Sequence, residues 1–420
     1  MPSAGGPAYP GRVGVDAPAR PDAVRRHNLA RLLQEVHRDG ELSRADLTAR
    51  LGLNRSTIGT LVGELVGGGV LEGATPDLAA RSEPGAGRPS HLVRPRTDGP
   101  FVLAADIEVD RVGVAAVGVS GVVLHRIDVP TTTRHPAEVA TVTARAMADV
   151  AASTTGFPVG VGVSVPGSVD RETGTVALAP NLDWDDVEFA GLLQHALTPW
   201  GLGALAVKVG NDANLGAISE QLRGHGRGHE DVVFLLGRIG VGAGIIADGR
   251  LLVGSAGGAG EVGHLCLDTS GPPCHCGSHG CAEVYIGDAA LLAAAGRPDA
   301  PTRDAVDAVL ADAALGKPDE LAAVRRVAVH LGRTVAALLN LVNPSVVITG
   351  GTLARVLELA GDDARTELHR YAFGRADAHL LLEPATHPAG ESCLLGAAEL
   401  AFELLITDPA AFALARAKAT

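Results

Sequence analysis

Long hydrophobic runs are missing from these 420 residues. No stretch reaches the roughly eighteen uncharged apolar residues that a membrane-spanning helix needs, so none is expected. No signal sequence is expected either. MPSAGGPAYPGRVGVDAPARPD is rich in Pro, Gly and Ala and has no apolar core, so residues 1–22 are expected as the disordered leader of a cytoplasmic protein. Lysine is scarce: Lys208, Lys317 and Lys418 are the only three among 35 basic residues, so arginine carries the positive charge. That charge is in deficit. The net value of −13 argues against nucleic acid as a partner of the whole chain, but the deficit is uneven. Residues 1–98 hold 13 arginines against 11 acidic residues, and the remainder holds 22 basic against 37 acidic ones. An N-terminal segment can therefore meet phosphates while an acidic body stays clear of them. Cysteine is also scarce, yet four of the five lie within GHLCLDTSGPPCHCGSHGCAE, residues 263–283. A disulfide knot, a reactive thiol, a catalytic metal and a structural metal all remain open at this point.

The chain is too long for one ordinary core, and two or three domains are expected. RRHNLARLLQEVHRDG places Leu29, Leu32, Leu33 and Val36 at helical spacing, and Gly40 ends the run. Ser43 with Asp46 makes an approximate capping box for a second helix that carries Arg44. Gly52 permits a turn, and Asn54 can cap NRSTIGTLVGELVGGG, whose Ile58, Leu61, Val62 and Leu65 form a buried stripe. The opposite face shows Arg55, Ser56, Thr57 and Thr60. This is a helix-turn-helix whose last helix suits a major groove, and GVLEGATPDLAARSEPGAGRPSHLVRPR adds two strands as a wing. Its tip carries Arg88, a cation suited to a minor groove. The alternative is a three-helix protein-interaction module with a solvated arginine face.

Beyond residue 100 the pattern turns to α/β. FVLAADIEVDRVGVAAVGVSGVVLHRIDVP reads as three antiparallel strands, followed by a helix from Pro136 to about Ser153 and the strand PVGVGVSVPG. DVVFLLGRIGVGAGIIADGRLLVG repeats the theme with a hairpin at Asp248-Gly249, and a long helix and strand follow up to ITGG. Two such halves imply a duplicated fold with a ligand cleft between lobes. Four motifs follow the winged helix in order: SVPGSVDRETGTVALAPNLDW, VGNDANLGAISEQ, GVGAGIIADGRLLVGSAGGAGEVGH and CHCGSHGCAE. From about residue 25 onward, the chain resembles the ROK family of repressors, open reading frames and sugar kinases, within the actin-like ATPase superfamily. The resemblance implies an α/β fold: an N-terminal winged helix-turn-helix on a duplicated, two-lobed, ribonuclease H-like body. The expected divisions are 23–97 for the DNA-binding domain, 98–210 with 390–420 for the first lobe, and 211–389 for the second lobe with a zinc knuckle.

Asn211 and Asp212 follow a strand end at the start of a helix, where they can cap it or meet a ligand. A carboxylate there can accept a hydrogen bond from a sugar hydroxyl, and in a family kinase the matching Asp is the general base. The resemblance adds Glu261, His264 and Glu283, with Gly167 and Asn181, as sugar-contacting positions. Family kinases carry Asp-x-Gly-Gly-Thr after the first strand, whereas here that position reads Asp106-Ile107-Glu108-Val109-Asp110-Arg111. Both glycines are gone, and Glu108 and Asp110 turn negative charge toward an anion. No catalytic residue is therefore expected (Asp212 in the kinase alternative), whereas sugar sensing survives. The spacing His264-x9-Cys274-x-Cys276-x4-Cys281 offers a closed set of three thiolates and an imidazole suited to structural zinc, and the family uses the same positions for it. A cytoplasmic setting argues against disulfides. One structural zinc per chain is expected. Cys266 and Cys393 are expected to be buried and inert, and His275 and His279 to face solvent. The implied function is a sugar-responsive repressor of carbohydrate uptake or catabolism genes. Its expected partners are double-stranded operator DNA and a sugar or sugar-phosphate effector, with a homodimer or tetramer as the expected assembly and no membrane partner expected. The alternatives are a sugar kinase with an attached DNA-binding domain and a regulator controlled by a protein docked near the knuckle.

Overall fold

Leu29, Leu32, Leu33 and Val36 drive the first element: in the computed structural model they line the buried side of a helix, Pro21–Asp39. The structure describes residues 21–74, 91–255, 257–297, 301–374, 376–387 and 390–412. Ser43 caps the helix Arg44–Leu51, its hydroxyl accepting from the Asp46 N–H while the Asp46 carboxylate accepts from the Ser43 N–H. Gly52 stops that helix in the left-handed region, at φ 66°. Asn54 then caps Arg55–Gly67 by accepting from the Thr57 N–H at 2.8 Å. A three-stranded antiparallel sheet, in the order Leu42–Ser43, Leu92–Pro95, Leu71–Ala74, completes a winged helix-turn-helix. The wing tip with Arg88, and the leader through residue 20, lie outside the described residues.

The body uses one topology twice. In the first lobe, Pro100–Ile107, Arg111–Gly118 and Val123–Pro130 form the expected antiparallel meander. Phe157–Val165 and Val207–Asn211 join in parallel on the far side of the first strand, giving the order 3-2-1-4-5. In the second lobe, Val232–Gly237, Val241–Ala247 and Arg250–Leu251 form the meander, with Val346–Gly351 and Leu381–Pro384 parallel beyond it. Its order is again 3-2-1-4-5. A small sheet that no sequence pattern announced, Ser168–Asp170, Thr175–Ala179 and Trp184–Val187, extends the first lobe.

Two helices lie against each other between the large sheets: Asp212–Arg223 and Glu391–Thr407. Their approach is close enough that a Cβ on Gly396 would strike the Leu215 carbonyl, and one on Gly244 of the second sheet the Ala213 carbonyl. The winged helix docks on this central pair. His37 leaves the first helix with its Nε2 at 2.6 Å from Glu399 Oε2, and its Nδ1 accepts from the Ser120 N–H at 3.2 Å. Arg223 closes the node, donating to Glu399 Oε1 at 3.0 Å through Nε and to the His37 carbonyl at 3.0 Å through Nη1. Burial pushes the Glu399 carboxyl up, but His37 and Arg223 outweigh it and hold it below the usual carboxylate range. Among the described residues no helix is long and apolar enough to cross a membrane.

Candidate functional site

The strand Val207–Asn211 ends where the helix Asp212–Arg223 begins, and that junction aims Asp212 into a cavity of about 470 Å³ between the lobes. Asn211 is turned to structural use: its Oδ1 accepts from the Asn214 N–H at 2.9 Å, and its amide donates to the Gly167 carbonyl at 2.9 Å. Gly167 holds φ 101°, and a Cβ there would collide with the Leu178 carbonyl, so its backbone can be placed only by glycine. Asp212 Oδ1 accepts from the Ala213 N–H at 2.8 Å, leaving Oδ2 toward the cavity side, 3.8 Å from Arg238. Glu283 Oε2 accepts from the Val241 N–H at 3.1 Å, and its Oε1 lies 3.0 Å from His275 Nδ1. Gly167, Asn181, Asn211, Asp212, Glu261, His264 and Glu283 all line this one cavity, although they come from five separate stretches of chain. Carboxylates and amides on facing walls can each take two neighbouring hydroxyls of a polyol in fixed geometry.

The knuckle forms the adjoining wall. The ligand atoms of His264, Cys274, Cys276 and Cys281 all lie within 4.8 Å of one another. Cys276 and Cys281 Sγ are 3.7 Å apart, and Cys274 Sγ is 3.8 Å from His264 Nδ1. Tetrahedral zinc with bonds of about 2.3 Å to sulfur needs S···S edges of about 3.8 Å, so these residues fit the ion. All five cysteines are free thiols, as the metal reading requires. Cys393 is buried, but Cys266 is exposed, contrary to expectation. It sits in an antiparallel bridge to Cys281 with its thiol 3.4 Å from the His279 carbonyl, so the backbone turns it outward. His279 is exposed; His275 is exposed in part but also lines the cavity and reaches Glu283, a contact that spacing within a loop does not reveal.

Arg238 and Arg303 escaped the sequence reading. Arg238 follows the strand Val232–Gly237 and reaches across to Asp106 of the first lobe at 2.7 Å, and Arg303 lies 3.4 Å from Glu108. Superposing the two halves of the sequence would have paired the acidic turn after Ile107 with the arginine of GRIGVGAG.

On the winged helix, Ile58, Leu61, Val62 and Leu65 are buried, while Arg55, Ser56 and Thr60 are exposed on the other side. Thr57 is half-buried at the cap, and Ser56 donates to Asn54 Oδ1 at 2.8 Å. Arg55 has no ion-pair partner among the described residues, so its guanidinium is free for a phosphate or base edge. Arg44 opens the preceding helix and is half-buried.

The xylose repressor of Bacillus subtilis is 26% identical over 354 residues, covering 82% of this chain and 87% of that protein. A glucokinase of Streptomyces coelicolor is 32% identical over 324 residues, covering 72% of this chain and 98% of the enzyme. In fold, the chain is similar to the crystal structure of a ROK family transcriptional regulator, a homologue of the E. coli MLC protein. The TM-score is 0.72 at 22% identity, covering 94% of this chain and 98% of that one. The profile of the ROK family matches residues 102–403, and the chain belongs to that family.

Proposed function

We propose that the chain is a sugar-responsive, DNA-binding transcriptional regulator that represses carbohydrate uptake or catabolism genes. The carrying observation is one continuous path. The helix Asp212–Arg223 starts in the cavity lined by carboxylates and amides and ends on the His37 node that docks the winged helix. Asp212, Glu261, His264 and Glu283 close on a sugar or sugar phosphate, with Asn211, Gly167 and Asn181 completing the wall. Closure shifts the helix and re-orients the two winged helices of a dimer over their half-sites on operator DNA. Arg44, Asn54, Arg55, Ser56, Thr57 and Thr60, with Arg88 on the wing, form the DNA face. The similarity to a xylose repressor supports this reading. His264, Cys274, Cys276 and Cys281 hold one structural zinc, which fixes the loop that carries Glu283. His264 binds through Nδ1 and leaves Nε2 for a ligand hydroxyl.

The test is fluorescence anisotropy on a duplex selected from a random pool by the purified protein, titrated with common hexoses, pentoses and their phosphates. One of these changes DNA affinity, and Asp212→Ala removes the response. Arg55→Ala costs about 1–3 kcal/mol in specific DNA binding and leaves sugar affinity intact. DNA affinity that no sugar alters overturns the reading. A kinase reading draws on the similarity to a glucokinase and on the position of Asp212. It requires a triphosphate to settle beside Glu108 and Asp110, and turnover in an ATP-coupled assay that Asp212→Asn abolishes would establish it.

A further inference from the structure

The two lobes meet through equivalent turns. Glu108–Asp110 joins the first two strands of one lobe, and Arg238–Gly240 joins the first two strands of the other. One turn is acidic, the other carries a guanidinium, and they are paired across the cavity. Arg238 donates to Asp106 Oδ2 at 2.7 Å and lies 3.7 Å from Glu108 Oε1 and 3.8 Å from Asp212 Oδ2. Asp106 is further held by the Ser164 hydroxyl at 2.7 Å. Arg303 lies 3.4 Å from Glu108 and 3.5 Å from Asp307, and Arg355 lies 3.1 Å from Glu358. Among the described residues, each of the three guanidiniums lining the cavity therefore already has a carboxylate partner, while seven carboxylates line the same space. Burial raises the Asp212 carboxyl to about 6, and Asp106 and Glu108 add to that rise against the pull of Arg238. The neighbourhood already resists the negative charge it holds.

A hydroxyl bound at Asp212 Oδ2 would sit beside this cluster, and a phosphate ester on that hydroxyl would meet Asp212, Glu108 and the neutralised Arg238. Resting on the sugar-sensing reading above, we propose that the cavity takes an uncharged aldose and rejects its phosphate ester and nucleoside triphosphates, with Asp106 and Glu108 as the specificity-determining residues. Two roles follow for one ion-pair cluster. It excludes anions by occupying the guanidinium that could bind them, and it ties the lobes together with no nucleotide between them.

Isothermal titration of the full chain tests this with matched pairs: D-glucose and glucose 6-phosphate, N-acetylglucosamine and its 6-phosphate, D-mannose and mannose 6-phosphate, with ATP alone. One neutral sugar is expected to bind, its phosphate at least about tenfold more weakly, and ATP not at all. Glu108→Gln releases part of Arg238 and is expected to narrow the tenfold gap to about threefold or less. The wild-type ratio decides the question even if that variant fails to fold. A phosphate that binds as tightly as its parent sugar, or measurable ATP binding, overturns the charge filter and leaves sugar sensing standing. Silence toward every sugar and every phosphate overturns sugar sensing, and the filter with it. A folded Glu108→Gln protein with an unchanged ratio removes Glu108 from the role.

Discussion

Asp212 is 8% exposed, and burial lifts its carboxyl to about 6, with Arg238 opposing the rise and Asp106 and Glu108 adding to it. The folded state therefore holds this proton more tightly than the unfolded chain, whose Asp titrates at 3.8. Between about pH 4 and pH 6, stability falls as Asp212 is forced to ionise in place, and the loss is complete above that window. Asp212→Asn keeps the acceptor for the Ala213 N–H and removes the charge. Its unfolding free energy from urea titration should match the wild type near pH 4 and exceed it at pH 7 by up to about 2–3 kcal/mol. A difference that does not change with pH would contradict the burial account. Asp288 is raised to about 6 as well, mainly by burial, but is common to both proteins and cancels in the comparison. The position of Asp212 at a strand end was legible in the sequence. Its burial and its charged neighbours were not, because Asp106 and Arg238 come from opposite lobes that only the folded chain brings together.

At the scale of elements, legibility followed locality. His264, Cys274, Cys276 and Cys281 were readable as a set that could hold a metal because they sit in one short stretch of chain, and the structure brings their ligand atoms within 4.8 Å of one another. The two meanders were readable because alternation and turn residues repeat over short spans. The small sheet Ser168–Val187 was not, since its three- to five-residue strands fall below any reliable period. Cys266 was misread because spacing along a loop does not say which side chains point outward. The knuckle backbone already folds back on itself: Leu267 N–H donates to the Gly280 carbonyl at 2.7 Å, Cys274 N–H to Ser278 at 2.8 Å and Ala282 N–H to Leu265 at 2.8 Å. The ion is then expected to fix side chains more than backbone, and Glu283 lies two residues after the last ligand. Elemental analysis should give about one zinc per chain. Cys276→Ser should lose the metal, lower the melting temperature and weaken the sugar response, while Cys266→Ser keeps all three. A Cys276→Ser protein that is metal-free, folded and fully responsive would separate the knuckle from sensing.

The whole molecule has to carry a signal from the cavity to the winged helix. Two features suit the helix Asp212–Arg223 to that task. Its first half is clamped at Ala213, Leu215, Gly216 and Ala217 by close glycine contacts to the second sheet and the C-terminal helix, which suits it to shift as one piece. Its last residue also holds His37 and Glu399, two groups 362 residues apart whose side chains are each only 6% exposed. No sequence pattern relates positions that distant, and the node emerges only from the docking of one domain on the other. Removing Arg223 would leave a buried carboxylate under-compensated and cost roughly 3–5 kcal/mol, so that variant confounds coupling with folding. His37→Gln is the cleaner probe, because it keeps a hydrogen-bonding side chain while breaking the aligned pair of ring nitrogens. Its affinity for DNA alone and for sugar alone should stay within about threefold of wild type. The coupling between the two, of the order of 1–3 kcal/mol in the intact protein, should shrink. Linkage supplies the internal check: whatever factor the sugar applies to DNA affinity, DNA must apply to sugar affinity. Both factors should therefore fall together in His37→Gln. If the variant keeps full coupling in both directions, the signal leaves the cavity by another route than this helix.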